Sequence, residues 1–435
     1  MAFRWKGRIW YKGYKKHINE VQKINIDKPI DILVLMVDHY EPAKKDGSKA
    51  IDKVINWCDN YKNISKEFVD SDGVHPQHSW FYRYDFPDFD ILNALSRYVY
   101  DGFGEIEFHL HHGFDTSETF SEKIKNGVQW FNSSGAMISA EKNPKQSFAY
   151  IAGNWALDNG RNDPQFSGVN NELQILSEHG CYADFTFPAI GCSAQPEKVN
   201  SIYYATDDPQ KPKSYNTGVD VAVGGVESGD LMIVQGPLFL NWDKGYLETA
   251  AFEVSLPYLK DRLKYWENAH VHVKGRPEWI FVKLHTHGMQ SKSIFMDGNF
   301  QDLCQDLDNA FVQNDDYRLH YVTSREAYNI IKAAEDGLTG NPNDYRNYVS
   351  KEPVNKKVYI NKPYTLITYS EDKIIFKIDQ PGEETEIHIH TKNGLKIFGN
   401  HITNVTMSFD NGFIKDLEMD GQDCTYEENG LQKHL

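Results

Sequence analysis

The chain has 435 residues, enough for a large core and for two domains, since single domains usually end near about 250 residues. Its formal net charge of −16 argues against a nucleic-acid backbone or an anionic membrane as the main partner. Cys58, Cys181, Cys192, Cys304 and Cys424 are scattered without a CxxC pair, which indicates neither a disulfide framework nor a zinc ribbon.

Residues 1–29 read as a basic N-terminal arm without the apolar segment of a secretory signal. Its Arg, Lys, Trp and Tyr suit either a weak contact with a membrane surface or an acidic partner, or packing across the acidic body of its own chain. No apolar run reaches the roughly 20 residues of a membrane helix, so no transmembrane segment and a cytoplasmic location are expected. From 30 to 340, apolar runs alternate with helical patterns. Strands are predicted over 31–37, 79–84, 105–111, 147–151, 183–187, 231–234 and 280–284, and helices over 48–68, 170–179, 247–269 and 301–314. Seven strands joined by helical crossovers predict an α/β fold, a parallel (β/α) barrel. From 341 to 435, short alternating runs at 364–369, 373–378, 386–390, 394–398 and 405–409 are separated by turns such as Asn393-Gly394 and Asn411-Gly412. They predict a small antiparallel β domain.

Three clusters of metal-capable side chains close barrel strands: Asp38-His39, His109-Leu110-His111-His112 and His285-Thr286-His287. Parallel α/β folds collect their chemistry beyond the carboxyl ends of their strands. Residues two apart on a strand share a face, so His109 and His111, or His285 and His287, can enter one cavity. A divalent cation of the zinc kind takes imidazole and carboxylate donors, and a catalytic site keeps one position for water. Hydrolysis then needs a base for the water proton and an acid for the departing group. Asp38 can be base or ligand, His39, His109 and His111 ligands, and His285 the acid, with His112 and His287 in reserve. Glu41 is either a partner orienting a histidine or a turn residue before Pro42. Asp85 is either half of a rim ion pair with Arg83 or a further site group. His75, His78, His388 and His390 read as structural, and 224–229 as a glycine-rich turn.

At these residues the chain resembles the polysaccharide deacetylase family, also called NodB-homology or carbohydrate esterase 4-like. Val37-Asp38-His39-Tyr40-Glu41-Pro42 stands where the family has a strand ending in paired aspartates. Glu105-Ile106-Glu107-Phe108-His109 is similar to its Glu-Ile-Gly-Ser-His segment, and Leu284-His285 to its final Leu-His. Tyr182-Ala183-Asp184-Phe185-Thr186-Phe187-Pro188 looks like the fifth-strand segment of divergent members. The resemblance covers roughly 30–335. It implies a deformed seven-stranded (β/α) barrel that removes acyl groups from amino sugars with a bound metal. His39 replaces the second aspartate, a ligand in the family. Gly113 stands where the second family histidine is expected, so His111 or His112 must substitute for it. The family's Arg-Pro-Pro-Tyr segment gives way to Gly153-Asn154-Trp155-Ala156-Leu157-Asp158. There Trp155 can stack on a sugar and Asn154 can bond its hydroxyls, or the segment is a wedge of aromatic core under a polar turn. The expected function is a metal-dependent hydrolase of carbon–nitrogen (amide) bonds that deacetylates an N-acyl amino sugar in a glycan or its precursor. Asp38 would be the base, His39, His109 and His111 the ligands of a zinc-like metal, and His285 the acid. The alternative is a non-catalytic saccharide-binding protein on a degenerate barrel.

Overall fold

The computed structural model describes residues 8–26, 28–42, 49–138, 147–166, 168–242, 245–290 and 292–434. The first stretch of the basic arm, 1–7, lies outside them, as does the first residue of the helix expected at 48. The chain divides into two compact units. One takes the described residues up to Pro87, then Phe103–Lys125 and those from 147 to Ser350. The other takes Asp88–Gly102, those of 126–138 and the chain from Lys351 onward. Its C-terminal segment therefore begins at Lys351 rather than 341, and it also holds two earlier segments that sequence order assigns to the barrel.

The first unit is α/β with a parallel-rich sheet. Its strands are β1 (Ile30–Tyr40), β2 (His78–Arg83), β3 (Gly104–Leu110), β4 (Phe148–Ala152), β5 (Cys181–Asp184), β6 (Ile202–Ala205), β7 (Val219–Asp220), β8 (Leu231–Val234), β9 (Phe239–Asn241), β10 (Tyr246–Glu248), β11 (Trp279–Thr286) and β12 (Tyr317–Tyr321). The helices of the chain are α1 (Tyr11–Val21), α2 (Lys49–Ser65), α3 (Phe89–Tyr100), α4 (Ser117–Asn132), α5 (Glu172–Glu178), α6 (Leu263–Ala269), α7 (Ser293–Met296), α8 (Asn299–Leu307) and α9 (Ser324–Glu335). All seven expected strands are present, displaced by up to three residues at their ends. The expected helix over 247–269 survives only as α6. Pro257 cannot donate a helical hydrogen bond, and Tyr246–Glu248 pairs with β9 instead.

The strands pair in the order β11-β1-β2-β3-β4-β5-β8-β6-β7, parallel from β11 to β8 and antiparallel beyond. Among the described residues no pairing joins the two ends of this path, so the sheet does not show a closed seven-stranded barrel. β1 pairs with three strands, β11, β2 and β12. β11 follows one edge from Asp31↔Trp279 to Asp38↔Thr286. Its other edge is shared in succession by β12, up to Val34↔Tyr321, and β2, from Met36↔His78 to Tyr40↔Tyr82. A strand enclosed on both edges and both faces is apolar throughout, as Ile-Asp-Ile-Leu-Val-Leu-Met-Val nearly is.

Side-chain alternation assigns two faces to this sheet. Leu33, Leu35 and Val37 share a buried cluster with Phe81, Ile151, Phe185, Val234, Trp279 and Phe281, and with Tyr328, Ile330, Ile331 and Ala334 of α9. Each such Leu, Val or Ile contributes about 1.5–3 kcal/mol by leaving water. α9 is anchored at its start by a Thr323–Glu326 capping box. On this same face His39, His109 and His285 continue the odd-numbered rows toward the carboxyl ends of their strands. Trp10 and Tyr14 of the N-terminal segment are buried with Val199, Leu238 and Leu240.

The second unit carries an antiparallel sheet of β13 (Val358–Ile360), β14 (Tyr364–Tyr369), β15 (Lys373–Ile378), β16 (Thr385–Ile389), β17 (Leu395–Asp410), β18 (Phe413–Glu428) and β19 (Leu431–His434). The runs expected at 394–398 and 405–409 are the two ends of one strand, β17, whose register against β18 shifts between Phe398 and Asn404. Asn411 and Gly412, both at positive φ, make the β17–β18 hairpin turn. α3 belongs here because Arg97 reaches His388 at 3.3 Å and Tyr100 stacks on His390 at 3.9 Å. That accounts for His388 and His390 as structural residues.

Candidate metal centre

At and just beyond the carboxyl ends of β1, β3 and β11, five side chains converge: His39, Glu41, His109, His111 and His287. They form two donor groups, His39–Glu41–His287 and Glu41–His109–His111, and within each group one ligand atom per residue lies within 4.8 Å of the others. Ring centroids run in a row, His287 to His39 at 4.6 Å, His39 to His109 at 5.1 Å, and His109 to His111 at 4.6 Å. These groups can hold a metal ion.

Three of the rings are oriented through Nδ1. His109 Nδ1 lies 2.8 Å from the carbonyl oxygen of Ile151, its register partner on β4. His111 Nδ1 lies 3.2 Å from Asp85 Oδ1, and His287 Nδ1 lies 2.7 Å from Glu253 Oε1. A ring nitrogen facing a carbonyl must donate, so in a neutral His109 the lone pair is on Nε2. That Nε2 faces Glu41 Oε1 at 3.3 Å, as does Nε2 of His111, also at 3.3 Å. Two acceptors face each other, and only a proton or a cation between them relieves the contact. Donors bound to zinc at about 2.0–2.1 Å in a tetrahedron stand about 3.3–3.4 Å apart, which matches both separations. Glu41 is itself steadied through Oε2, which accepts from Gln290 Nε2 at 2.9 Å and from Arg83 Nη1 at 3.4 Å.

The electrostatics follow from this packing. Burial pushes the Glu41 carboxyl up, but the His109 and His111 rings outweigh it and hold the group far below the carboxylate range. Burial drives His39 well below its ordinary value, with neighbouring imidazoles adding to the effect, and lowers His109 against the pull of Glu41. His111 moves the other way: burial opposes its charge, but Asp85 and Glu41 raise it to about 9.

The loop after β4 closes over these rings. Gly153 is required by close approach, because a Cβ there would sit 2.6 Å from both Leu110 O and His111 Cδ2. Asn154 and Trp155 follow at φ of 55° each, a left-handed conformation that is costly for Trp. It brings the Trp155 ring to 6.1 Å from His39 and 6.2 Å from His287. Arg161 Nη1 donates to the Asn154 carbonyl at 3.3 Å.

Not every expected site residue joins the group. Asp38 faces the opposite side of β1 from His39. Its Oδ2 lies 2.9 Å from His78 Nε2 and its Oδ1 accepts from Gly288 N at 2.7 Å. Burial raises its carboxyl, against His78 and Gly288. Gly288 permits this, since a Cβ there would meet Asp38 Oδ2 at 2.2 Å. His285 shares a face with His287 but lies one repeat deeper, above Lys283; burial and then Lys283 lower it to about 3. His112 turns away to Asp115 at 3.1 Å and Glu172 at 3.5 Å.

Glu253, Gln290 and the role of His78 were not foreseen. Glu253 and Gln290 sit on irregular segments where no periodicity marks them. His78 faces Asp38 because Met36↔His78 begins the β1–β2 pairing. A third donor group, Asp70, Asp72 and His320, is of another kind. Both His320 nitrogens lie 2.8 Å from carboxylates, those of Asp31 and Asp72, and Asp70 accepts from Val74 N and Tyr321 N while pairing with Arg346. This is a closed ion-pair network around the start of β1. No protein-family model and no curated protein matches the chain.

Proposed function

We propose that the protein is a metal-dependent hydrolase of carbon–nitrogen bonds that deacetylates an N-acyl amino sugar, in a glycan or its precursor, in the cytoplasm. The observation that carries the proposal is the approach of His109 Nε2 and His111 Nε2 to Glu41 Oε1, each at 3.3 Å, with both Nδ1 atoms facing acceptors. His109, His111 and Glu41 would hold the cation, zinc in kind by its imidazole and carboxylate donors, with His39 and His287 beside them. Such a cation, when bound, supplies Lewis-acid activation of water and of an acyl oxygen. The deformed seven-stranded barrel implied by the resemblance belongs to the same proposal, as does a saccharide substrate.

The chain's own residues divide the remaining work. Ile151 O and Asp85 fix which nitrogen each ring presents. Trp155 offers an apolar face to a sugar ring, and Asn154 lies next to it. The acid role expected of His285 falls away, because burial and Lys283 hold that ring neutral near pH 7, and its place on the site's face of β11 makes it a packing neighbour of His287. Asp38 positions the turn that carries His287 rather than taking a proton, because both of its oxygens are already engaged on the far face.

The test combines metal analysis of the purified protein with amine release from N-acetylated oligosaccharides, in wild type, His109→Ala and Trp155→Ala. The expected result is bound metal and amine release in wild type, loss of both in His109→Ala, and a weaker saccharide affinity with metal retained in Trp155→Ala. Folded wild-type protein that binds no zinc would sink the proposal. The engagement of Asp38 favours a second reading, a non-catalytic saccharide-binding protein. Glycan binding that survives metal removal, without amine release, would establish it instead.

A further inference from the structure

The five donors do not form a single set. Each group has its ligand atoms within 4.8 Å of one another, and the two groups share Glu41 without merging. Donors held by one ion at about 2.0–2.2 Å are at most about 4.4 Å apart, even on opposite sides of it. One ion therefore cannot take all five residues in this arrangement. The row of rings shows the same division, since the spacing between the groups, 5.1 Å from His39 to His109, exceeds the 4.6 Å within each.

We propose that the centre is dinuclear: a second divalent cation sits at His39 and His287 and shares the Glu41 carboxylate with the first, at His109 and His111. This rests on the metal reading above and deepens it. Paired cations in hydrolytic centres stand about 3.5–4 Å apart, a spacing that one bridging carboxylate serves. The surroundings of His287 support a ligand role of its own. Glu253 Oε1 holds its Nδ1 at 2.7 Å, the same carboxylate-to-imidazole arrangement that Asp85 gives His111. Three independent segments thus build the second position: β1 through His39, the turn after β11 through His287, and the 250–258 loop through Glu253. Trp155 stands over this position in particular, near both His39 and His287.

The experiment is a zinc titration of chelator-stripped, full-length protein, read as equivalents per chain by native mass spectrometry and elemental analysis. Manganese-loaded protein is examined in parallel by electron paramagnetic resonance. Wild type is expected to take two equivalents and to give an exchange-coupled manganese spectrum. His287→Ala is expected to retain one equivalent, with an uncoupled spectrum. Glu253→Gln, which keeps the side chain's size should His287→Ala not fold, is expected to weaken one of the two equivalents by tenfold or more. Saturation of wild type at one equivalent, or two full-affinity equivalents in His287→Ala, would overturn the second site. One equivalent with intact amine release removes only the second ion. Two equivalents without amine release on any N-acetylated saccharide remove the deacetylase reading and leave the dinuclear centre standing.

Discussion

Asp85 and Asp38 make opposite predictions. Sequence order gives Asp38 the central role and Asp85 a marginal one; the geometry reverses this. Asp85 Oδ1 lies 3.2 Å from His111 Nδ1 and accepts from the His111 backbone N–H at 3.3 Å, with Arg83 pairing to the same carboxylate. In Asp85→Asn the ring loses a charged acceptor, and Arg83 turns more fully to Glu41 Oε2, now 3.4 Å away, where it competes with a cation. Loss of such an orienting partner costs about 10–100-fold in metal affinity, or about 1.4–2.7 kcal/mol. Because both contacts to His111 are long for hydrogen bonds, the lower half of that range, about 10–30-fold, is expected. Asp38→Asn touches none of the five donors and keeps an Oδ1 that can accept from Gly288 N, so the turn carrying His287 holds and zinc affinity should change by less than about threefold. It should instead cost roughly 1–3 kcal/mol of folding stability, because it removes a charged partner from the buried His78. Zinc affinity measured against a chromophoric chelator, together with urea denaturation, reads both effects. A tenfold loss of affinity in Asp38→Asn with Asp85→Asn unchanged would refute the assignment of faces on which the proposed site rests.

Three further outcomes follow from particular contacts. Gly153→Ala forces a Cβ to within 2.6 Å of Leu110 O and should lower stability by about 1–3 kcal/mol and weaken zinc binding through His111; an unchanged urea midpoint and affinity would contradict it. Burial raises the Glu107 carboxyl from 4.5 to about 8, so between those values the folded chain holds a proton that the unfolded chain has lost. This group's contribution is therefore complete below pH 4.5 and falls as pH rises through about 8, by at most about 1.4 kcal/mol per unit. Glu107→Gln should flatten the pH dependence of the urea midpoint across that window, and a slope equal to wild type would count against it. His320→Ala should cost roughly 1–3 kcal/mol, because Asp31 and Asp72 each lose one partner but keep Arg318 and Asn341, with zinc stoichiometry unchanged; fewer bound equivalents in folded variant would make that third group a metal site after all.

Much of the fold was legible because burial leaves a plain signal. The seven apolar runs became strands on a covered sheet, six of them between two paired neighbours and β11 at the end of the order, where Val, Ile, Leu and Phe are selected regardless of parity. β12 escaped notice because Tyr-Arg-Leu-His-Tyr is amphipathic in no helpful way: Arg318 and His320 are there to meet Asp31, a partner that sequence does not reveal. β6, β7, β9 and β10 are two to four residues long, too short for any period to register. In the second unit, β17 reads as two strands because polar residues between Gly399 and Asn404 interrupt its alternation at the register shift, and its pairing with β18 resumes at Asn404↔Asp420.

The site was legible as three places on the chain but not as a choice of residues within each, and strand parity explains why. Asp38 and His39 are adjacent, so both could enter one cavity only if β1 ended before them. It does not: pairing with β2 continues to Tyr40↔Tyr82, and alternation holds throughout. The face that receives His39 must then exclude Asp38 and receive the next odd residue, Glu41. The same parity selects His109 and His111 over Leu110 and His112, and His285 and His287 over Thr286. Motif order, which looks for an aspartate beside the first ligand, lands one residue away from the carboxylate that the geometry brings in. Where a strand persists past a motif, the period of two decides which side chains meet, and Glu41, which sequence order left between a partner and a turn residue, becomes the carboxylate common to every donor group at this centre.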